Sequence, residues 1–265
     1  MTGPATVAPP TRVGPLRPLR VHVLGSSASV LVEPYHGPRD GGTYGEQLAD
    51  LLTDRGLPAV VSHAGTWFGR ICDALPHYER DVRDHFPDVL VVNYGMAECQ
   101  SDVLPAFVVR HLTTWHRTSR AGTRLYREKL ARKAWPLLRD YQRWASAHDR
   151  GRTYRLRPSR FVTDLRRTID MARKDCGCLV LLLDIDPPGA RVEHWLPGTT
   201  ARVARYNALL QDVADGYDDT VRLVRAGAAL DDPATQLPDG LHRSPAGHAL
   251  TAAMLADEIS TWVKP

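Results

Sequence analysis

Short continuous runs of apolar residues alternate with longer stretches of helical periodicity along most of this chain. The runs have the length of strands buried on both faces of a sheet, and they cover residues 21–24, 59–61, 89–92 and 178–183. Helical patterns cover residues 47–52, 70–84 and 161–172, and a last helix begins near residue 244. Strands that alternate with helices predict a three-layer α/β/α sandwich around a mostly parallel sheet.

The segment from about residue 104 to 158 interrupts this alternation. Its large apolar residues are spaced three or four apart and predict one helical face, formed by Tyr126, Leu130, Ala134, Leu137, Tyr141 and Trp144. Pro136 lies inside the pattern and is expected to kink or divide the helix. We interpret this segment as a helical insertion packed beside or over the carboxyl edge of the sheet. The alternative is a structural helical hairpin with a solvated basic face.

Composition and charge describe a globular domain with one unusually basic part. The chain has 265 residues, 43% of them apolar, and a formal net charge of +4, which suits one large domain with a substantial core. Residues 1–19 contain five prolines and are expected to form a flexible tail before a domain of residues 20–265. Residues 110–160 hold 15 lysines and arginines against three acidic residues and so carry +12. This asymmetry predicts an acidic ligand or partner.

Three sequence features bear on location and cofactors. No apolar run reaches the roughly 18 residues of a membrane span, and the N-terminus lacks the apolar region of a secretion signal. The four cysteines have neither the spacing of a zinc site nor the density of a disulfide scaffold. We therefore expect a cytoplasmic protein with no membrane span, and the sequence implies no metal or organic cofactor.

Three short segments lie where an open parallel sheet gathers its functional residues. They are residues 25–27 after the first strand, residues 93–98 after the third, and residues 239–242 before the last helix. A serine nucleophile needs a base within hydrogen-bond reach, and that base needs an acceptor that fixes its tautomer. Asp239 and His242 supply the acceptor and the base from one loop, for a serine that the fold brings close.

Together these segments resemble the SGNH (GDSL-type) hydrolase family of lipases, thioesterases and carbohydrate esterases, over roughly residues 20–100 and 160–262. The motif DGLHRSPAGHAL at residues 239–250 is the most specific part of the resemblance. The resemblance implies a flavodoxin-like sheet and a catalytic triad. In that triad Ser27 is the nucleophile, His242 is the general base and then the general acid, and Asp239 orients His242. Ser26 stands where the family usually has Asp.

The resemblance also implies an oxyanion hole built from the ends of the first three strands. The backbone amides of Ser27 and Gly69 are the expected donors, with Gly65 as the second choice for the latter. The family's asparagine donor is replaced by Ala97, and Asn93 at the preceding strand end is a candidate substitute. The candidate oxyanion and substrate-binding residues are Gly69, Gly65, Asn93, Gly95, Ala97 and Glu98.

Several other polar residues have more ordinary interpretations. Glu98 either pairs with an arginine or lines the site. Asp184 and Asp186 follow the fourth strand and are expected to belong to a loop that shapes the pocket, because no His or third acidic residue nearby completes a metal site. His248 is expected to pack inside the last helix, and His63 is expected to lie in a loop.

The leading functional hypothesis is a serine esterase or thioesterase that forms a covalent acyl-enzyme. Its substrate would be a small-molecule or carrier-bound acyl compound, and the basic segment would suit an anionic one. One alternative is an acyltransferase that takes acyl groups from a carrier-protein or coenzyme A thioester docked on the basic segment. The other is a degenerate, non-catalytic module that binds an anionic partner. No recognised nucleic-acid motif is present, and no specific nucleic acid is expected as a partner.

Overall fold

A parallel sheet organises the part of the chain that the computed structural model describes, which comprises residues 17–27, 29, 42–65, 69–101, 132–148, 154–230 and 232–263. Its strands are β1 (Leu19–Gly25), β2 (Ala59–Gly65), β3 (Val89–Asn93), β4 (Leu179–Leu183) and β5 (Val221–Val224). They lie in the order β2-β1-β3-β4-β5, and every pairing is parallel. This order is the flavodoxin-like one, so the predicted fold class is confirmed.

Helices cover both faces of the sheet. They are α1 (Tyr44–Asp54), α2 (Ile71–Ala74), α3 (Tyr78–Asp81), α4 (Met96–Cys99), α5 (Arg132–His148), α6 (Pro158–Cys176), α7 (Ala190–Trp195), α8 (Thr199–Asp215) and α9 (Pro245–Val263). Short 3₁₀ turns span Leu75–His77, Arg83–His85, Gly227–Ala229 and Pro233–Thr235. Helices α1 and α9 share one apolar cluster with the sheet, and α2, α3, α6 and α8 share the other. The result is the predicted three-layer sandwich. No described helix is long and apolar enough to cross a membrane.

The two apolar clusters explain why strands β3 and β4 are almost wholly apolar. In β3 and β4 all residues are buried, and successive side chains point to opposite faces. Leu90 therefore belongs to the α6 side of the sheet, and Val91 belongs to the α1 side. A strand with helices on both faces has no position at which water can solvate a polar side chain, so it reads as a continuous apolar run.

Local signals place several helix ends where the sequence indicates. Helix α1 begins with a capping box, in which the Thr43 amide donates to Glu46 Oε2 at 2.7 Å and Thr43 Oγ1 accepts from the Glu46 amide at 3.3 Å. Helix α6 begins at Pro158 and ends before Gly177, which has a φ of 60°. Helix α9 begins at Pro245, as predicted.

The structure differs from the sequence prediction at three places. The single helix predicted over residues 70–84 is instead α2, a 3₁₀ turn and α3, because Pro76 has no amide hydrogen for a continuous helix. Strand β5 was not predicted, since two of its four residues are only half-buried and one is Arg222. The predicted tail ends earlier than residue 19, because β1 begins at Leu19 and Arg17 donates two hydrogen bonds to Asp88.

Helix α5 exposes the described large side chains of its apolar stripe. Leu137, Tyr141 and Trp144 are 74%, 52% and 59% exposed, whereas the packed side carries Ser146, which is buried and bonded to Ser101. The helix also runs through Pro136. Tyr126 and Leu130 lie outside the described residues, as does most of the predicted insertion. The place of this insertion beside or over the sheet and its bounds therefore stay a prediction.

Candidate active site

The carboxyl ends of β1 and β3 hold the first candidate residue. Gly25 and Asn93 are paired across the two strands, and the Ser26 amide donates to the Asn93 carbonyl at 3.2 Å. The Ser29 amide donates to the Ser26 carbonyl at 2.9 Å. These bonds shape a turn that presents Ser27, half-buried, at the edge of the sheet.

The loop before α9 carries the second and third candidates, and its bonds to itself fix their geometry. Asp239 Oδ1 accepts the Leu241 and His242 amides at 2.9 and 3.1 Å. Gly240 adopts a φ of 71° in this turn and lies against Gly189, whose amide donates to the Gly240 carbonyl at 2.8 Å. Because this φ is rarely adopted by residues with a Cβ, glycine suits the position.

Ser27, His242 and Asp239 form one hydrogen-bonded chain. His242 Nδ1 lies 2.6 Å from Asp239 Oδ2, and His242 Nε2 lies 3.1 Å from Ser27 Oγ. Ser27 and His242 are 215 residues apart in sequence. A base between a hydroxyl and a carboxylate at these distances has the geometry for activating the hydroxyl as a nucleophile.

The electrostatics of Asp239 suit it to hold an imidazole. Burial by itself would raise the pKa of this carboxyl. The hydrogen bonds from the His242 side chain and from the Leu241 and His242 amides outweigh burial and lower the pKa to about 2. Asp239 is therefore an anion at any working pH, and it favours the tautomer in which Nδ1 of His242 is protonated.

The candidate oxyanion residues lie in different environments along this edge. Gly69 is buried just before α2, whereas Gly65 is exposed at the end of β2; residues 66–68 between them lie outside the described residues. Ala97 is buried in α4. Asn93 Nδ2 donates to the Tyr44 hydroxyl at 3.2 Å, so at least one of its two N–H groups is used inside the protein.

Glu98 ties two of these loops together. Its Oε1 accepts the Ile71 amide at 2.8 Å, and its Oε2 accepts the Gly95 amide at 2.9 Å. Burial raises the pKa of this carboxyl to about 7, although the amide hydrogen bonds act in the opposite direction. The sequence suggested that Glu98 either pairs with an arginine or lines the site. These hydrogen bonds are instead to backbone amides. Glu98 is a buried brace between the β2–α2 and β3–α4 segments.

The two aspartates after β4 also have structural partners. Asp184 accepts the Gly227 and Ala228 amides, and Asp186 makes a doubly hydrogen-bonded ion pair with Arg243 at 2.9 and 2.6 Å. Within the described residues, no group of three or more histidines, cysteines or acidic residues has the arrangement of a metal site.

Sequence reasoning missed Arg243, together with Tyr44 in α1. Arg243 and Asp186 are 57 residues apart, and no spacing rule links them. His248 is buried in α9 as predicted, and its Nδ1 accepts the Tyr44 amide at 3.2 Å. His63 lies in β2, so its predicted place in a loop is wrong.

Fold and site together define a class of protein: α/β enzymes with a serine, a histidine and an aspartate at the carboxyl edge of a flavodoxin-like sheet. Comparison with family models identifies the group within that class. The model described as the GDSL-like lipase/acylhydrolase family matches residues 23–250. The chain belongs to this family, as its resemblance to SGNH (GDSL-type) hydrolases indicated, and it is a hydrolase.

Solved structures share the fold at low sequence identity. A lipase/acylhydrolase from Enterococcus faecalis aligns with a TM-score of 0.61 and 15% identity, covering 93% of this chain and 98% of that one. The acetyl xylan esterase AlAXEase aligns with a TM-score of 0.59 and 17% identity, covering 91% of this chain and 100% of that one. Axe2, an acetylxylan esterase from Geobacillus stearothermophilus, aligns with a TM-score of 0.57 and 15% identity, covering 91% of this chain and 94% of that one. No curated protein sequence matches this chain.

Proposed function

We propose that this hydrolase is a serine esterase or thioesterase with Ser27 as its nucleophile. The observation that carries the proposal is the hydrogen-bonded chain from Ser27 through His242 to Asp239, at 3.1 and 2.6 Å. Membership of the acylhydrolase family supports the reaction class. The structural neighbours that are acetylxylan esterases make small acyl esters a reasonable first substrate class.

The proposed mechanism proceeds through a covalent acyl-enzyme. Ser27 Oγ attacks the acyl carbonyl carbon while His242 Nε2 takes the hydroxyl proton. The tetrahedral intermediate collapses, the bond to the leaving group breaks, and His242 returns the proton to the departing oxygen or sulfur. Water then attacks the acyl-enzyme with His242 again as the base, which releases the acid and restores Ser27. Asp239 keeps the imidazole oriented throughout.

The backbone amides of Ser27 and Gly69 are the proposed oxyanion donors, with Gly65 as the reserve for Gly69. Ala97 places a methyl group where the family has a side-chain amide, and the described contact of Asn93 is directed to Tyr44. Loss of one oxyanion donor costs on the order of 100- to 1000-fold in turnover in a well-studied protease. We therefore favour activated esters and thioesters, whose carbonyls need less stabilisation.

Labelling with a fluorophosphonate probe tests the nucleophile. We expect wild-type protein to be labelled, Ser27→Ala to lose labelling, and Ser26→Ala to retain it. Ser26 is the matched control because it is the adjacent serine, is buried and differs from Ser27 in having no described contact with His242. Equal labelling of wild type and Ser27→Ala would overturn the assignment.

Acyl transfer is a second candidate function, which the +12 charge of residues 110–160 favours. An acidic carrier protein or the phosphates of coenzyme A would complement this charge, and the same serine would carry the acyl group. Adding alcohol or amine acceptors to a thioester assay separates the two reactions. If no acceptor diverts acyl groups from water, acyl transfer is excluded for the acceptors tested.

The non-catalytic alternative predicts a different result. A module that binds an anionic partner would show no Ser27-dependent turnover of any activated ester and a steep salt dependence of binding. The hydrogen-bonded Ser27 and His242 argue against this alternative. The cytoplasmic location expected from the sequence stays a prediction.

A further inference from the structure

Tyr44 connects the two turns that carry Ser27 and His242. Its side chain is fully buried at the start of α1. The hydroxyl donates to Ser29 Oγ at 3.0 Å and accepts from Asn93 Nδ2 at 3.2 Å. One bond therefore reaches the turn after β1, two residues beyond Ser27, and the other reaches the end of β3.

Arg243 links the same tyrosine to the histidine loop. Its guanidinium carbon lies 5.2 Å from the centre of the Tyr44 ring, and residue 243 directly follows His242. The Arg243 side chain is 1% exposed and is held by two hydrogen bonds to Asp186, in the loop after β4. The third guanidinium nitrogen, Nη1, is also buried and has no hydrogen-bond partner among the residues that the structure describes.

The burial of this charge argues for a positional role. Taking an ion pair out of water is costly, and an apolar pair of similar volume is often equally stable. An arginine–aspartate pair differs from an apolar pair in its directional bonds, which allow only a narrow range of geometries. Here those bonds anchor the backbone beside His242, while the Tyr44 hydroxyl anchors the turn beside Ser27.

We propose that Tyr44, packed against Arg243, is a positioning residue whose hydroxyl holds the Ser27 and His242 turns at the separation needed for proton transfer. This inference rests on the proposed function. The Ser27–His242 contact joins segments from opposite ends of the chain, so small shifts of either turn change it directly. Misplacement by about 1 Å can lower a rate on the order of 100-fold.

The most direct test removes only the Tyr44 hydroxyl. For Tyr44→Phe we expect the second-order rate constant of fluorophosphonate labelling to fall by about 10- to 100-fold. With p-nitrophenyl acetate as the chromogenic ester, kcat is expected to fall while KM changes less than about threefold. A stability effect alone would leave kcat per folded molecule unchanged.

Tyr206→Phe is the matched control. Tyr206 is also fully buried, and its hydroxyl donates to the Leu156 carbonyl, in the apolar cluster on the opposite face of the sheet from Tyr44. Both variants lose one buried tyrosine hydroxyl, so urea unfolding is expected to show comparable losses of stability. Labelling is expected to stay at the wild-type rate in Tyr206→Phe.

Ser29→Ala provides a second route to the same contact. It removes the acceptor of the Tyr44 hydroxyl and leaves Tyr44 in place, so it tests the proposal even if Tyr44→Phe does not fold. We expect slower labelling in Ser29→Ala than in wild type. In the double variant Tyr44→Phe/Ser29→Ala we expect the labelling rate to fall no further than in the slower of the two single variants.

The outcomes separate the inference from the function on which it rests. If labelling depends on Ser27 but both Tyr44→Phe and Ser29→Ala react at the wild-type rate, the positioning role is wrong and the proposed nucleophile stands. If wild type and Ser27→Ala label equally, both proposals are wrong.

Discussion

The pH dependence of stability offers a sharp test of the buried brace formed by Glu98. Its carboxylate is wholly buried and accepts hydrogen bonds from the Ile71 and Gly95 amides. Glu98→Gln keeps the size and shape of the side chain and removes its ability to titrate. In the variant, the glutamine side-chain NH2 faces one of the two backbone amides that Glu98 accepts in the wild type. That backbone donor is left without an acceptor, which costs about 1–3 kcal/mol.

The size and sign of the pH effect follow from the raised pKa. Burial moves the pKa of Glu98 from 4.5 to about 7. Between these values the folded chain binds a proton that the unfolded chain has released, so stability falls as pH rises. The slope is about 1.4 kcal/mol per pH unit, which amounts to about 3 kcal/mol over the interval. The stabilisation that proton binding to folded Glu98 provides is fully present below pH 4.5 and is lost as pH rises through about 7.

Urea unfolding of wild type and Glu98→Gln at pH 5, 6, 7 and 8 measures this effect. Groups that titrate equally in both proteins cancel in the difference. We expect the free energy of unfolding of wild type, relative to the variant, to fall by roughly 2–3 kcal/mol from pH 5 to 8. Glu193→Gln is the control, for which no pH dependence is expected over this range.

Glu193 also accepts two backbone amides, from Gly198 and Thr200, but it is only partly buried and its pKa is lowered. A carboxyl with a lowered pKa keeps its full stabilising effect above its ordinary pKa of 4.5 and loses it only at lower pH. The wild-type advantage over Glu193→Gln is therefore expected to stay constant from pH 5 to 8 and to shrink only in more acidic solution. A difference for Glu98→Gln that stays constant, or that grows with pH, would refute the assignment of Glu98 as a carboxyl destabilised by burial.

Two further predictions concern packing. Gly95→Ala is expected to lower the free energy of unfolding by about 2 kcal/mol or more, because Gly95 has a φ of 132° and an added Cβ would lie 2.3 Å from Ile185 Cδ1. Gly177→Ala, where φ is 60° and the space is open, is expected to lower it by only about 1 kcal/mol. Equal losses for the two variants in urea unfolding would contradict the argument. Trp144→Ser is expected to change stability by less than about 0.5 kcal/mol, since this side chain is 59% exposed; a loss above 1 kcal/mol would show that the outer face of α5 is covered.

Much of the fold was predictable because its signals are local. Runs such as residues 89–92 and 178–183 are apolar at every position, which predicts strands buried on both faces. Pro158 and Gly177 mark the ends of α6 through their own backbone preferences. Local signals were insufficient in β5, which is short and half-buried, and around Pro76, where a periodic pattern hides a break between two short helices.

The candidate site divides in the same way. Asp239 and His242 were identifiable as candidates because their chemistry and their place before a helix are visible in the sequence, and the family resemblance singled out Ser27 beside Ser26. Tyr44 and Arg243 were not, because their importance comes from partners on other segments. The charge of Arg243 has no local sign of burial, and its partner Asp186 is 57 residues away.

The sequence by itself determined the class of fold, the family resemblance and the identity of three candidate catalytic groups, since each depends on residue type and local order. Only the tertiary structure decided which groups meet. It brings His242 Nε2 to 3.1 Å from Ser27 Oγ, and it makes Glu98 a brace between two loops. It also leaves Leu137, Tyr141 and Trp144 of α5 exposed. The physical reason is that periodicity and propensity act over a few residues, whereas contact, burial and charge pairing depend on how distant segments pack.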